Sequence, residues 1–299
     1  RVLGTLPAEF ADKEDVGFSD IENVIIKTVG IPLHFEKVNW FSVYKLHHRC
    51  VDNFRKGRIF LAGDSAHIHS PAGGQGMNTG LQDASNLAWK IAFVLRGYAQ
   101  PELLETYNEE RLPFAQWLMK FTDRAFGIMT SENWFIAWFR KNIVLNLIGK
   151  VLTVTSLRPR IFKTVSQIGY SYATKALSFS DSHQPLLFKA GDRFPYLQTS
   201  NGMSFYNLFN EPCFHLLRIS AQKTEITQDE KIKALFPFPV KEIHAELTDD
   251  WKKLGVTGEL HILVRPDNYI AMISDQLTEK VIRKYLDVFF RENNSFLRK

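Results

Sequence analysis

Apolar residues recur at helical spacing in several segments of the chain. They predict a short helix over 18–29, a strong helix over 77–96, a second long helix over 101–124 and a closing helix over 281–290. The strong helix places its apolar side chains on one face, and the glycine that follows it is typical of a helix end. The region 125–180 is also expected to be largely helical.

Strands are predicted where the apolar residues alternate or form short runs. Residues 34–51 alternate and predict one or two strands. The run 58–62 ends at Gly63 and Asp64, as a buried strand of a parallel sheet ends. Three further runs in the last third of the chain predict strands: 214–219, 260–264 and 269–273.

The order of these elements predicts a mixed fold of the α/β and α+β classes. Composition shifts near residues 180–184. Beyond that point, the strands and the closing helix predict a small α/β domain over 185–299. No internal repeat and no low-complexity segment changes this division of the sequence.

The composition is that of a globular protein. Of its 299 residues, 45% are apolar and 23% are charged, which excludes wholesale disorder, collagen-like repeats and a membrane bundle. Charged and amide side chains interrupt the most apolar stretch, 134–154, so no membrane span is predicted. Lys and Arg number 37 against 32 Asp and Glu, a net charge of +5. Because the basic residues are scattered, no nucleic-acid partner is predicted, while the mild excess suits an anionic cofactor.

Cysteine is rare in the chain. The two cysteines, Cys50 and Cys213, lie far apart in the sequence, and neither belongs to a C-x-x-C motif. A disulfide framework and a cysteine-rich zinc site are therefore not expected. This usage fits a reducing compartment, and we expect a cytoplasmic location.

The segment 57–84 (GRIFLAGDSAHIHSPAGGQGMNTGLQDA) concentrates the residue types of a ligand site. The predicted strand delivers Asp64 at its carboxyl end, where open α/β sheets bind ligands and where a carboxylate can accept hydrogen bonds from sugar hydroxyls. Glycines at 73, 74 and 76 remove side chains, so the backbone can approach something flat or anionic. A helix that starts near Met77 points its free N–H groups and its positive dipole end at the same place. The segment therefore predicts a site for a polyol and an anion.

Each part of this segment also has a simpler interpretation. An Asp after a strand is often only a helix cap or a turn former, and a glycine-rich loop alone is weak evidence. The spacing Gly74-x-Gly76-x-x-Thr79 is superficially that of a dinucleotide fingerprint, but about a dozen residues separate the strand from the helix, and no P-loop lysine is present. His67 and His69 lack a third ligand at a fixed spacing, so no metal site is predicted.

Taken as a unit, the segment 57–84 resembles the Gly-Asp motif of the FAD-dependent aromatic hydroxylases. These are single-component flavoprotein monooxygenases similar to para-hydroxybenzoate hydroxylase and phenol hydroxylase. The similarity extends upstream to 40–44 and 48–49, and downstream to 86–90 and 104–113. The whole stretch of about ninety residues matches more specifically than any of its parts does.

The last third of the chain resembles the thioredoxin-like C-terminal domain of the phenol hydroxylase branch, through residues 190–195, 216–218 and 264–270. Asn268 stands where that branch usually has Gly, and Asn tolerates a left-handed turn. Thioredoxin chemistry needs two thiols. With Cys213 alone, the resemblance implies a shape without redox activity.

The resemblance implies a division of the chain into four parts. Residues 1–50 would be a remnant of a substrate-binding sheet domain, 51–125 the C-terminal part of a Rossmann-like FAD-binding domain, 126–184 a helical connector and 185–299 the thioredoxin-like domain. The family opens with a strand and a G-x-G-x-x-G loop for the ADP half of FAD, and this sequence has no such loop. We therefore expect the chain to be the later part of a longer protein and to bind FAD poorly when isolated.

The resemblance also implies roles for individual residues. FAD would be bound by Gly63, Asp64, Pro71, Gly74, Gln75, Gly76, Met77 and Asn78. The substrate would be faced by Pro71, Ala72 and Gly73. Asp64 would hydrogen-bond the ribityl chain, and backbone N–H groups of 74–78 would lie against the pyrimidine edge of the isoalloxazine. No catalytic side chain is assigned, because the flavin supplies the reactive oxygen.

The implied activity is hydroxylation of a phenolic or polycyclic aromatic substrate with NAD(P)H and O2, by way of a C4a-hydroperoxyflavin. One alternative is a non-hydroxylating flavin oxidoreductase, or an epoxidase, of the same fold. Another is a non-catalytic fragment that acts as an interaction module through 185–299. The resemblance also leaves a homodimer open.

Overall fold

The computed structural model describes residues 2, 4–10, 12–44, 47–69, 74–131, 133–144, 147, 154, 158–221 and 230–290. The helices are, in chain order, α1 (Phe18–Val29), α2 (Gly76–Leu95), α3 (Glu105–Thr130), α4 (Trp134–Phe139), α5 (Arg158–Val165), α6 (Phe205–Leu208), α7 (Glu230–Ala234), α8 (Asp249–Lys253) and α9 (Glu279–Leu286). Shorter helical turns are the 3-10 turns Ala8–Phe10, Gly63–Ser65 and Pro101–Leu104 and the π turn Arg140–Val144.

The strands are β1 (Arg49–Cys50), β2 (Arg55–Lys56), β3 (Ile59–Phe60), β4 (His67–Ile68), β5 (Phe179–Asp181), β6 (Phe214–Ser220), β7 (Val240–Glu246), β8 (Leu260–Val264) and β9 (Ile270–Ser274). The first four form two antiparallel pairs, β1 with β4 and β2 with β3. The other five form one sheet in the order β5-β9-β8-β6-β7. In that sheet β6 runs parallel to β7 and β5 runs parallel to β9, while β8 is antiparallel to both of its neighbours.

The predicted helices are confirmed. α1 has the predicted bounds: the Gly17 N–H donates to Asp20 Oδ2 at 2.8 Å where the helix begins, and the Gly30 N–H donates to the Ile26 carbonyl at 3.1 Å where it ends. α2 lies within one residue of its predicted range. The second long helix begins with the 3-10 turn at Pro101 and continues in α3 beyond its predicted end. The closing helix is α9, which is shorter than predicted.

The five-stranded sheet has a hydrophobic core on each face. α2 and α9 cover one face, where the buried residues include Trp89, Phe93, Leu216, Leu263, Met272, Ile282 and Tyr285. On the other face the buried residues include Phe194, Leu217, Ile219, Trp251, Ile262 and Ile273. Because both faces are covered, the central strands are apolar at almost every position. This explains why β6, β8 and β9 were predictable as apolar runs.

A smaller core lies under the two strand pairs. It contains Phe54, Ala66, Leu87, Tyr107 and Ala115. Leu87 belongs to α2 and Tyr107 to α3, so these two helices back the turn that follows β3. The Tyr107 hydroxyl donates to the Leu61 carbonyl at 2.7 Å and fixes the chain just before that turn.

Two strand predictions are wrong. Within 34–51, only Arg49 and Cys50 lie in a strand, and residues 45–46 are outside the described part of the chain. Trp40 and Tyr44 are exposed. A strand needs a partner for its backbone groups, and none of the described strands pairs with 34–44.

The run 58–62 does not form a buried parallel strand. It contributes only β3, which pairs antiparallel with β2. Ile59 is 67% exposed. The short apolar run is therefore one arm of a hairpin, because the neighbouring chain offers an antiparallel partner and no parallel one among the described residues.

The region 125–180 is helical in part. It holds the end of α3, then α4, the π turn and α5, and it finishes at β5, which joins the edge of the large sheet. Residues 132, 145–146, 148–153 and 155–157 lie outside the described part. The boundaries of the four predicted domains, and the thioredoxin-like assignment of the last one, stay predictions.

Candidate cofactor-binding site

The turn Gly63–Ser65 follows β3 and leans on the first turns of α2. Gly63 has a positive φ of 59°, and a Cβ on it would lie 3.5 Å from the Gly80 Cα. Its backbone N–H donates to Asp83 Oδ2 at 3.0 Å. A positive φ and a close backbone neighbour are both conditions that glycine meets most easily. Gly63 thus sets the Gly-Asp turn directly against α2.

Asp64 projects from this turn towards solvent. Its side chain is exposed, and its carboxylate makes no hydrogen bond or ion pair with any described residue. The hydroxyl of Ser65 stabilises the turn itself, since it donates to the Ala62 carbonyl at 2.8 Å and accepts from the Ala62 N–H at 3.1 Å. The turn therefore presents a carboxylate that is free to accept hydrogen bonds from a polyol.

The N-terminus of α2 lies next to this turn. The N–H groups of Gly76, Met77 and Asn78 have no acceptor within the helix, and no side chain of the N-cap residue, Gln75, caps them. Met77 is 76% exposed. Gly74 has a φ of +63°, and a Cβ built on it meets no described atom within 4 Å. An open helix N-terminus carries partial positive charge, which favours an anion or an electron-rich ring edge.

Gln75 differs from the other described residues of the predicted cofactor site because its side chain is buried. Its Oε1 accepts from Gln167 Nε2 at 3.1 Å, and its carbonyl accepts from the Thr79 N–H at 3.0 Å. Only its backbone is therefore placed for a ligand. Besides Gln75, the structure describes six of the predicted site residues, and they lie in the turn or at this helix end: Gly63, Asp64, Gly74, Gly76, Met77 and Asn78. Pro71, Ala72 and Gly73 lie outside the described residues.

A buried carboxylate, Asp83, organises the base of the turn. Its Oδ2 accepts from the Gly63 N–H and lies 2.7 Å from His67 Nε2, and its Oδ1 accepts from Arg111 Nε at 2.6 Å. Burial opposes ionisation of this carboxyl, but the hydrogen bond from His67 and the charge of Arg111 outweigh it and lower the pKa of Asp83. The His67 ring also stacks on Phe54, with a centroid distance of 5.7 Å. His67 is thereby committed to Asp83 and Phe54.

Arg111 connects Asp83 to residues far along the chain. Its Nη1 donates to the Tyr172 hydroxyl at 3.0 Å and its Nη2 to the Thr79 carbonyl at 3.4 Å. Its guanidinium carbon lies 4.5 Å from the ring centroid of Phe114. Every side of this buried cation therefore faces an acceptor or an aromatic ring.

A second buried cluster joins α2 and α3 to the β8–β9 turn. Glu110 accepts from Lys90 Nζ at 2.8 Å and from both terminal nitrogens of Arg265. Arg265 also donates to Asp267, and Lys90 donates to Asn86 at 2.8 Å. Burial opposes ionisation of Glu110, but Arg265 and Lys90 outweigh it and lower the Glu110 pKa. Burial lowers the pKa of Lys90 to about 8, against the attraction of Glu110.

Together these two clusters form the buried charge network, in which three cations face three carboxylates: Lys90, Arg111, Arg265, Asp83, Glu110 and Asp267. None of the six is among the predicted site residues. The helical spacing gave no signal for Asp83 and Lys90. Leu81 and Leu95 of the predicted apolar face of α2 are exposed, whereas Asp83 and Lys90 lie among the buried residues of that helix. Their partners were not deducible, because the ion pair of Glu110 with Arg265 spans 155 residues.

Part of this chain is similar to known proteins. The FAD binding domain family matches residues 7–122. These residues, 7–122, are named the FAD-binding segment here because they are similar to part of an FAD-binding domain, and aromatic monooxygenases are among the relatives of the chain. Pentachlorophenol 4-monooxygenase of Sphingobium chlorophenolicum is 31% identical over 255 residues, which cover 79% of this chain and 46% of that enzyme. The chain spans about half the length of the curated relatives that head this comparison.

Solved structures are similar in fold to most of this chain. The OxyS anhydrotetracycline hydroxylase from Streptomyces rimosus has a TM-score of 0.70 and 27% identity, over 93% of this chain and 54% of that chain. The Diels-Alderase PyrE3 of pyrroindomycin biosynthesis has a TM-score of 0.63 and 26% identity, over 91% of this chain and 50% of that chain. The predicted mixed fold of helices and sheets is confirmed.

The residues of the FAD-binding segment fit FAD. The exposed, unpartnered carboxylate of Asp64 suits a ribityl hydroxyl. The open N-terminus of α2 suits the electron-rich edge of a flavin ring, and the space around Gly74 lets the backbone come close to a flat group. A metal is not required by this arrangement, and no group of three or more potential metal ligands occurs among the described residues. Likewise, none of the described helices is long and apolar enough to cross a membrane.

Proposed function

We propose that the protein to which this chain belongs hydroxylates a phenolic or polycyclic aromatic substrate with FAD, NAD(P)H and O2. In the overall reaction the substrate C–H becomes C–OH. The second oxygen atom leaves as water, and NAD(P)H supplies the two electrons. When bound, FAD supplies the redox chemistry. The proposal is supported by the Gly-Asp turn held against the open end of α2, and by the named aromatic monooxygenases among the relatives.

In this proposal the chain's own residues bind and orient. Asp64 accepts a hydrogen bond from a ribityl hydroxyl. The N–H groups of Gly76, Met77 and Asn78 stabilise negative charge on the flavin's pyrimidine edge, which favours its reduced form. Gly63 and Gly74 keep the backbone close to the cofactor. We assign Pro71, Ala72 and Gly73 to the side of the site that faces the substrate.

The test uses the full-length product of the gene that encodes this chain. The purified protein is expected to show a flavin absorption spectrum and to oxidise NAD(P)H when a suitable phenol or polycyclic phenol is added. One atom of isotopically labelled O2 should appear in the product. A purified full-length protein that holds no flavin, and gains none when FAD is added, would overturn the proposal and favour an interaction module.

A second candidate is a flavoprotein of the same fold that does not hydroxylate. It is favoured by one observation, the similarity of the chain to PyrE3, which is named as a Diels-Alderase. A protein that binds FAD tightly but incorporates no labelled oxygen into any aromatic compound of a broad panel would support this candidate over the first.

We also propose a cytoplasmic location, since both cysteines are free and the reaction draws on NAD(P)H. A homodimer is the quaternary structure that we propose for the full-length protein. Sedimentation analysis of the purified full-length protein tests this directly, because a monomer and a dimer of one chain differ twofold in mass.

A further inference from the structure

We propose that Asp83 is a positioning residue of the flavin site, which sets the orientation of Asp64 through the backbone N–H of Gly63. The inference rests on the proposed function, because it concerns the same cofactor. Asp83 itself does not reach the cofactor surface, since its side chain is buried under the turn. Its effect would therefore be transmitted through the turn Gly63–Ser65.

The hydrogen bond from Gly63 to Asp83 is the critical contact. Among the described residues it is the only hydrogen bond that joins this turn to α2. The other described bonds in and beside the turn are local or reach the chain that follows β1: the Ala66 N–H donates to Gly63, and the Ala66 carbonyl accepts from the Val51 N–H. If the contact with Asp83 is lost, the turn keeps its local hydrogen bonds and its packing against Gly80. It loses the hydrogen bond that holds it to the helix whose N-terminus forms the rest of the site.

A charged carboxylate is required at this position. Three donors converge on the two oxygens of Asp83: Gly63 N–H and His67 at Oδ2, and Arg111 at Oδ1. An amide has the same shape but only one acceptor oxygen. If its oxygen replaces Oδ2, its NH2 faces the N–H of Arg111. If its oxygen replaces Oδ1, its NH2 faces the N–H of Gly63. Either orientation leaves one buried donor without an acceptor, which a carboxylate avoids.

Arg111 extends this arrangement into the C-terminal part of the chain. It is held by the Tyr172 hydroxyl at 3.0 Å, and the Tyr172 ring lies 4.4 Å from that of Tyr269 next to β9. The orientation of Asp83 thus depends on the large sheet as well as on α2 and α3. Replacing Tyr172 by Phe removes one acceptor of Arg111 while Asp83, Gly63 and His67 keep their own contacts.

The experiment compares three variants of the full-length holoprotein: Asp83→Asn, Tyr172→Phe and Glu110→Gln. The last is the matched control, because Glu110 is as deeply buried as Asp83 and pairs with Arg265 and Lys90, but makes no contact with the turn. The measurements are the dissociation constant of FAD, the reduction potential of the bound flavin, the hydrogen exchange of segment 61–66 and the unfolding of the apoprotein.

For Asp83→Asn we expect FAD binding about tenfold weaker or more, which is the range for losing a charge-assisted hydrogen bond. Exchange at 61–66 should be faster, and the reduction potential should shift. Tyr172→Phe should change the same quantities in the same direction by a smaller factor. The free energy of unfolding of the apoprotein should be lower in Glu110→Gln than in the parent. The FAD affinity of this variant should stay within about twofold of the parent's, because the substitution destabilises the core without releasing the turn.

Two results for a folded Asp83→Asn protein would overturn the inference. One is an Asp83→Asn protein whose FAD affinity and hydrogen exchange at 61–66 match those of the parent. If Asp64→Ala still weakens FAD binding in that case, the proposed function stands and only this inference fails. The other is an equal loss of FAD affinity in Asp83→Asn and Glu110→Gln, because the weaker binding of Asp83→Asn would then come from general destabilisation of the protein. If Asp83→Asn does not fold, an unchanged FAD affinity in Tyr172→Phe overturns the inference. If the parent itself binds no FAD, the proposed function and this inference fail together.

Discussion

Arg265 and Glu110 form a buried bidentate ion pair, with Nη1–Oε1 at 2.6 Å and Nη2–Oε2 at 2.9 Å. Glu110 lies on α3 in the FAD-binding segment, and Arg265 follows β8 of the large sheet. The ring of Trp89 on α2 packs 5.3 Å from the Arg265 guanidinium carbon. A single side chain thereby ties the C-terminal sheet to both helices behind the turn Gly63–Ser65. The geometry is the planar two-point contact that arginine makes with carboxylates.

Removing Arg265 should strongly destabilise the protein. Arg265→Met leaves the Glu110 carboxylate buried with Lys90 as its remaining charged partner, and breaking a buried pair on one side costs about 3–5 kcal/mol. Arg283→Met is the control, because Arg283 pairs with Glu279 on the exposed surface of α9, where such pairs contribute about 0–1 kcal/mol. Denaturant titration measures both losses. Equal losses in the two variants would show that the Arg265 pair adds nothing beyond a surface contact.

Asp64→Ala should weaken the retention of FAD by about 1–3 kcal/mol, the value of a lost hydrogen bond to a charged group. The fold should be unaffected, because the Asp64 side chain is exposed and bonds to no described residue. Asp52→Ala is a suitable control, since Asp52 is also exposed but precedes the β2–β3 pair. Fluorescence titration of the full-length apoprotein with FAD gives the affinities. Equal affinity in the parent and in Asp64→Ala would remove Asp64 from the cofactor site.

Trp89→Ala should destabilise the protein by about 3–5 kcal/mol, as expected for truncating a large buried aromatic residue. Trp89 is 5% exposed, and its ring meets Phe93 and Phe214 edge to face at 5.4 and 5.5 Å. Trp134 is 77% exposed, so Trp134→Ala should change the free energy of unfolding by less than about 1 kcal/mol. Thermal and denaturant unfolding measure the difference. A larger loss of unfolding free energy in Trp134→Ala than in Trp89→Ala would show that Trp89 is not a main contact between α2 and the sheet.

Stability should fall as the pH is lowered from about 6.5 towards 4. Burial, followed by the nearby charge of Lys241, lowers the pKa of His215 to about 4, against the attraction of Glu211. Below its ordinary pKa the unfolded chain binds a proton that the folded chain does not, so acid favours unfolding. We expect this group to contribute about 1–3 kcal/mol across that window.

The measurement for His215 is the free energy of unfolding against pH in the parent and in His215→Leu. The variant should show a shallower fall between pH 6.5 and 4. Part of the slope should remain, because burial also lowers the pKa of His261. Identical slopes in the two proteins would show that His215 does not titrate as its burial requires.

Some helices and strands could be predicted from the sequence and others could not, for physical reasons. α1 was predicted to the residue, because its apolar spacing is a local signal. The structure adds that Gly17, and neither Ser19 nor Asp20, is its N-cap residue. β7 was missed, since it is an edge strand with partly exposed residues of mixed polarity and shows no clear alternation. The alternation of 34–44 indicated a strand that is not there, because pairing partners are a property of the whole fold.

The sequence alone determined the main helices, the apolar strands of the sheet and the Gly-Asp segment with its helix, because each depends on residues close together in the chain. The tertiary structure alone decided that Asp83 supports the Gly63 turn, and that Arg265 reaches Glu110 from the far end of the chain. Such contacts depend on which distant groups are buried together, where an unpaired charge is too costly to persist.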